Sequence, residues 1–131
     1  MATYTELLES VDSVFSSSEW KGLVVPAFPA NFFPHDTPDE FVVYEIIPSG
    51  TPAQEFADAG YLAGLIIIQI YTQANMGPKR MYELADNLAD LFRKKQLMST
   101  QTQDGELTII GLDKDDTSLF RADYSLKFNS F

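Results

Sequence analysis

Residues 61–95 read YLAGLIIIQIYTQANMGPKRMYELADNLADLFRKK. The run from Leu62 to Tyr71 is apolar, rich in β-branched residues and too short to span a membrane, which predicts a strand buried on both faces. Thr72–Met76 is a polar break. Gly77-Pro78 then opens a helix, with proline where a missing N–H is tolerated. Met81, Leu84, Ala85, Leu88, Ala89, Leu91 and Phe92 recur at helical spacing and form one apolar stripe. A strand followed by an amphipathic helix folding back on it therefore sets the core, and the rest of the chain covers what remains.

Working outward, Thr3 and Glu6 match a capping box ahead of Tyr4, Leu7, Leu8, Val11, Val14 and Phe15, which predicts a first helix over Tyr4–Ser16. Leu23–Val25 reads as a short strand. Pro26, Pro29, Pro34 and Pro38 exclude helix and central strand from the stretch that follows. That stretch carries Phe28, Phe32 and Phe33, which either tuck under the sheet or face a partner. Glu40–Ile47 is a strand ended by Pro48. Residues 49–60, SGTPAQEFADAG, form a long hairpin connection of the kind used for subunit contacts or left as a surface loop. Leu97–Gly105 is polar and reads as a loop. Leu107–Leu112 is a strand and Asp113–Asp116 an acidic turn. Over Leu119–Phe128, Phe120, Ala122, Tyr124, Leu126 and Phe128 alternate with Arg121, Asp123, Ser125 and Lys127, so one face lies in the core. The order α-β-β-β-α-β-β predicts one α+β domain over residues 1–131, with a mostly antiparallel sheet and two main helices packed on it.

The chain has 131 residues, of which 45% are hydrophobic, enough for one core. It has no cysteine, so disulfides and thiolate chemistry are excluded. The first residues carry acids without early bases, unlike a secretory signal. A net charge of −10 argues against binding a nucleic-acid backbone. The helix of the opening stretch is the one basic segment, with Lys79, Arg80, Arg93, Lys94 and Lys95. The last three suit the negative end of its dipole; the first two oppose the positive end, and Glu83 offers them a salt bridge.

Catalytic patterns are missing. His35 is the single histidine and lies among the prolines. No nucleophile elbow, phosphate-binding glycine loop or dinucleotide fingerprint is present. Asp113, Asp115 and Asp116 lack the glycine and closing glutamate of a calcium loop. The expectation is a protein that works through surfaces, with no enzyme activity, no cofactor and no metal.

The layout resembles the tail terminator, or tail completion, proteins of long-tailed bacteriophages. The likeness spans nearly the whole chain: helix Tyr4–Ser16, the segment Pro26–Pro34, the strand Glu40–Gly50, the run Ala63–Tyr71 with Gly77 beyond it, Leu84-Ala85-Asp86-Asn87-Leu88 leading to Leu91-Phe92, and the two closing strands. It is a match of apolar pattern, with no single diagnostic residue. The resemblance implies a virion protein, assembled in the host cytoplasm. It would form a hexameric ring on the tail tube, end tube polymerisation and present the surface that joins the head. Its partners would be further copies of itself, the tube protein and a neck or head-completion protein, with DNA passing through unbound and no membrane involved. On that reading Asp104, Glu106, Asp113, Asp115 and Asp116 are candidates to face the lumen, since like charge repels DNA. Phe28, Phe32, Phe33, Gln54, Glu55 and Phe56 are candidates to touch neighbouring subunits or the tube. Alternatives are another neck protein, or a small α+β enzyme or ligand-binding domain.

Overall fold

A computed structural model describes residues 3–32, 38–49, 62–98, 100–114 and 116–130. The elements are α1 (Tyr4–Phe15), α2 (Ser18–Lys21), β1 (Ala27–Pro29), β2 (Phe41–Ser49), β3 (Leu62–Gln73), α3 (Lys79–Phe92), β4 (Gln96–Leu97), β5 (Thr100–Leu112) and β6 (Leu119–Ser130). The α+β class holds, with strands as the dominant component. The sheet has the order β1-β2-β3-β6-β5-β4. It is mixed: β1 runs parallel to β2 and the other pairings are antiparallel. The order expected from sequence lacked α2 and β4, which are too short to show a period of their own.

Thr3 caps α1 as its spacing predicts, its hydroxyl accepting from the Glu6 N–H at 3.1 Å. Leu7, Val11, Val14 and Phe15 are buried, whereas Tyr4 and Leu8 are exposed. The α3 stripe is also found, with Met81, Leu84, Ala85, Leu88 and Phe92 buried. Pro78, expected as the first helical residue, sits at the N-cap, and the helix starts one position later at Lys79. Phe15 joins the layers: its ring stacks on Tyr44 of β2 at 4.6 Å and lies 5.2 Å from Phe92 of α3.

Four expectations are corrected. The first strand is not Leu23–Val25. Val24 there takes a positive φ of 56° and is exposed, and pairing starts after Pro26. Trp20 of α2 instead donates its indole N–H to the Val25 carbonyl at 2.9 Å. Secondly, β2 runs through Pro48. On the β1 side β2 is covered only up to Tyr44, so a residue without an N–H is tolerated on the open margin beyond. Thirdly, β3 is not buried on both faces. Ile66, Ile68, Ile70 and Thr72 are buried beneath the helices, while Leu65, Ile67, Gln69 and Tyr71 lie on the other face, half-buried or exposed. Its continuous apolar sequence belongs to a sheet with one helix layer and, among the described residues, one sparsely covered face.

Fourthly, the polar stretch expected as a loop is strand from Thr100 onward, in β5. Thr100 and Thr102 point into the core and find partners there. The Thr100 hydroxyl lies 3.2 Å from the Ser10 hydroxyl of α1. Thr102 Oγ1 accepts from the Lys95 N–H at 2.8 Å and donates to the Phe92 carbonyl, closing the C-terminal end of α3. A shift in register between Thr102 and Gly105 accommodates the turn of the strand beside Asp104.

Candidate interaction surfaces

The helix-free face of the sheet is the first surface. Alternation in β6 puts Arg121, Asp123, Ser125 and Lys127 on it, as the sequence predicts. β2 adds Val43, Glu45 and Ile47, and β3 adds Leu65, Ile67, Gln69 and Tyr71. At the margin nearest β1 this face carries a row of aromatic rings. Phe32 stacks on Phe28 at 5.5 Å, Phe28 contacts Phe41 at 6.0 Å, and Phe41 stacks on Tyr71 at 4.6 Å. The Arg121 guanidinium lies 5.9 Å from the centre of the Tyr71 ring and is oriented by Asp123 at 3.1 Å. Of the predicted aromatic contacts, Phe28 is half-buried and Phe32 is 53% exposed. Neither tucks into the helix-covered core; Phe28 pairs in register with Val43 and so shares the open face. Phe33, Gln54, Glu55 and Phe56 lie outside the described residues, as do His35 and Asp115.

The predicted lumen acids do not form one patch. Asp104 lies at the first bulge of β5, where Arg93 Nε at 3.1 Å and Lys94 Nζ at 3.5 Å meet its carboxylate. Two of the three bases that follow α3, Arg93 and Lys94, thus share one carboxylate within the chain. Glu106 lies opposite Ser125 and faces the open side. Asp113 and Asp116 lie at the far end of β5, in the turn to β6. The Asp113 carboxylate accepts from the Asp116 N–H at 3.1 Å. The Asp116 carboxylate accepts from the Ser118 hydroxyl and N–H, which lowers its pKa. Nine residues of extended chain separate Asp104 from Asp113, roughly 30 Å.

At the other end of α3, Arg80 does not rely on Glu83 alone. Its Nε donates to Glu40 at the start of β2 at 2.8 Å, and its other nitrogen lies 3.6 Å from Glu83. Sequence reasoning missed Glu40, forty residues away; no local pattern marks such a pair. The tie holds the N-terminus of α3 to the margin of the sheet.

The concave regions are open. One, about 670 Å³, lies over the first β5 bulge and mixes Lys94, Asp104, Glu106 and Lys127 with Leu65. A smaller slot of about 330 Å³ lies between α1 and the β1–β2 margin and is lined by Tyr4, Leu8, Pro29, Ala30, Ile46 and Pro48 among others. Among the described residues, no three His, Cys, Asp or Glu side chains converge on a point where a metal ion could sit. No described helix is long and apolar enough to cross a membrane.

No family model matches the chain, and no curated protein matches it. Thirteen chains of solved structure do. One of them, designated only by a sequence identifier, superposes with a TM-score of 0.59 at 15% identity, over 92% of this chain and 86% of that one. That likeness shows the fold and no more.

Proposed function

We propose that this chain is a ring-forming structural protein of a phage virion, a tail terminator that closes the head-proximal end of the tail tube. The observation that carries this reading is the one-sided sheet. Among the described residues, helices cover one face, while the other leaves aromatic, aliphatic and charged side chains open across four strands. That is surface available for contact with other proteins. The layout of helices and strands that supports the family resemblance is also present, from the capped first helix to the two long closing strands.

On this reading the protein is not an enzyme, and its partners are other copies of itself, the tube protein and a neck protein. Among the described residues, Asp113 and Asp116 at the β5–β6 turn, with Glu106 on the open face, are the candidate acids left to give the lumen its charge. Asp104 contributes little, because Arg93 and Lys94 offset it. The test is imaging of purified tail tubes mixed with the protein. A six-fold ring at one end of each tube, and tubes that no longer elongate, are expected. Tubes that continue to grow with the protein unbound would overturn the reading.

A further inference from the structure

The sequence holds one Asp-Gly pair, Asp104-Gly105. Such a pair is prone to a spontaneous rearrangement. The main-chain nitrogen that follows the aspartate attacks the side-chain carboxyl. A C–N bond forms, a C–O bond breaks and water leaves. The resulting succinimide takes water back at either carbonyl. Opening at the main-chain carbonyl routes the backbone through the side chain, which gives isoaspartate and adds one methylene to the main chain. Glycine favours the step because no β-carbon hinders its nitrogen.

The fold leaves this pair open to attack in three respects. β5 bulges here: Thr102 pairs with Phe128 and Gly105 with Leu126, so Gln103 and Asp104 together are matched by Lys127 alone. β4 covers β5 only at Thr100 and Gln101, so the pair lies beyond that ladder on the margin of the sheet. The Asp104 side chain is 64% exposed and borders the open concavity above the bulge.

Against this stands a tether. Ring closure needs the Asp104 carboxyl carbon to meet the Gly105 nitrogen. Each carboxylate oxygen is held by a separate base, Oδ1 by Arg93 Nε at 3.1 Å and Oδ2 by Lys94 Nζ at 3.5 Å. A side chain so held cannot turn freely. The bases are themselves fixed to β5. The Lys94 N–H donates to the Gln103 carbonyl at 3.2 Å, and the Lys95 carbonyl accepts from the Thr102 N–H at 2.9 Å. Glu106 and Lys127 border the same concavity with opposite charges, which leaves Arg93 and Lys94 to set the local balance. The strand also has little slack. A β-carbon on Gly105 would lie 2.2 Å from the Tyr124 ring, so an added methylene would disturb the β5–β6 register beyond it.

We propose that Asp104-Gly105 is a site of isoaspartate formation, and that Arg93 and Lys94 guard it by holding both oxygens of the carboxylate. This gives the basic end of α3 a role that does not depend on the ring reading.

The test follows exchange of oxygen with the solvent. The wild type and the double variant Arg93→Gln, Lys94→Gln are incubated folded at neutral pH in heavy-oxygen water, then digested with trypsin in ordinary water. Each passage through the succinimide leaves one heavy oxygen in the peptide 96–114, which is common to all the proteins compared. Both substituted side chains are exposed, so circular dichroism should match the wild type. The Gln variant is expected to take up label about three- to tenfold faster, the range in which two exposed ion pairs hold a side chain. Arg93→Lys with Lys94→Arg keeps both charges and should stay near the wild-type rate. Asp104→Glu, whose longer side chain closes a ring far more slowly, should abolish the uptake and so assign it to Asp104 and not Asp113. Equal uptake in the wild type and the Gln variant overturns the proposal, as does a fast rate shared by the charge-keeping variant. Uptake that survives Asp104→Glu, or none in the Gln variant, overturns it as well.

Discussion

Tyr44 ties α1 to the sheet through its phenol, which donates to Asp12. Burial, then that hydrogen bond and the charge of Asp12, raise its pKa far above the usual value for a phenol. A raised folded pKa contributes stability that is present below the unfolded value of about 10 and is lost as pH rises beyond it. Denaturant titrations should therefore show stability falling above about pH 10 in the wild type. Tyr44→Phe should flatten that limb while losing only about 1 kcal/mol at pH 7; an unchanged alkaline slope would place the titration elsewhere. Gly105 makes a second residue-scale prediction. A β-carbon there would lie 2.2 Å from the Cζ and hydroxyl of Tyr124, so the ring occupies the space of the missing side chain. Gly105→Ala should destabilise by about 1–3 kcal/mol in urea titrations. Tyr124→Leu in the same chain should recover part of that loss, since the two sites are coupled. Neither contact is visible in the sequence. Gly105 reads there as a turn glycine, and Asp12 as one acid of many.

At the scale of elements, legibility followed periodicity. α3 and β6 were readable because their apolar residues repeat at 3.6 and 2 over more than ten residues. The first half of β5 was misread because polarity outweighed pattern. Thr100-Gln101-Thr102-Gln103 alternates just as a strand should, with β-branched residues at the buried positions. The core accepts those threonines because Ser10, Phe92 and Lys95 supply hydrogen-bond partners, and such partners are remote in sequence. Thr102→Val should test this by leaving the Phe92 carbonyl and the Lys95 N–H without their buried hydroxyl. A loss of about 1–3 kcal/mol is expected, with hydrogen exchange quickening first in the last turn of α3. Quickening spread evenly over the chain would show that Thr102 supports the core in general and not that helix end. The candidate contact residues were legible in the same uneven way. Aromatic and acidic residues could be picked out by type, but only register shows that Phe28 shares the open face and that Asp104 is offset by Arg93.

At the scale of the whole molecule, the sheet order separates chain order from position. β6 comes last in sequence among the strands yet lies between β3 and β5, with a long ladder to each. Residues 3–118 expressed alone should consequently fail to form a cooperative fold, even though they contain both main helices. Adding residues 119–130 as a separate peptide should restore a thermal transition; a transition in the fragment by itself would show that β3 and β5 can manage without their shared neighbour.

The placement of β6 also has a meaning for synthesis. As the chain leaves the ribosome, the apolar strand around Ile66–Ile70 emerges well before the segment that covers its second margin. During that interval a nascent chain is most exposed to mispairing with its neighbours on the same message. Slow initiation favours such a chain, because widely spaced ribosomes keep half-finished sheets apart.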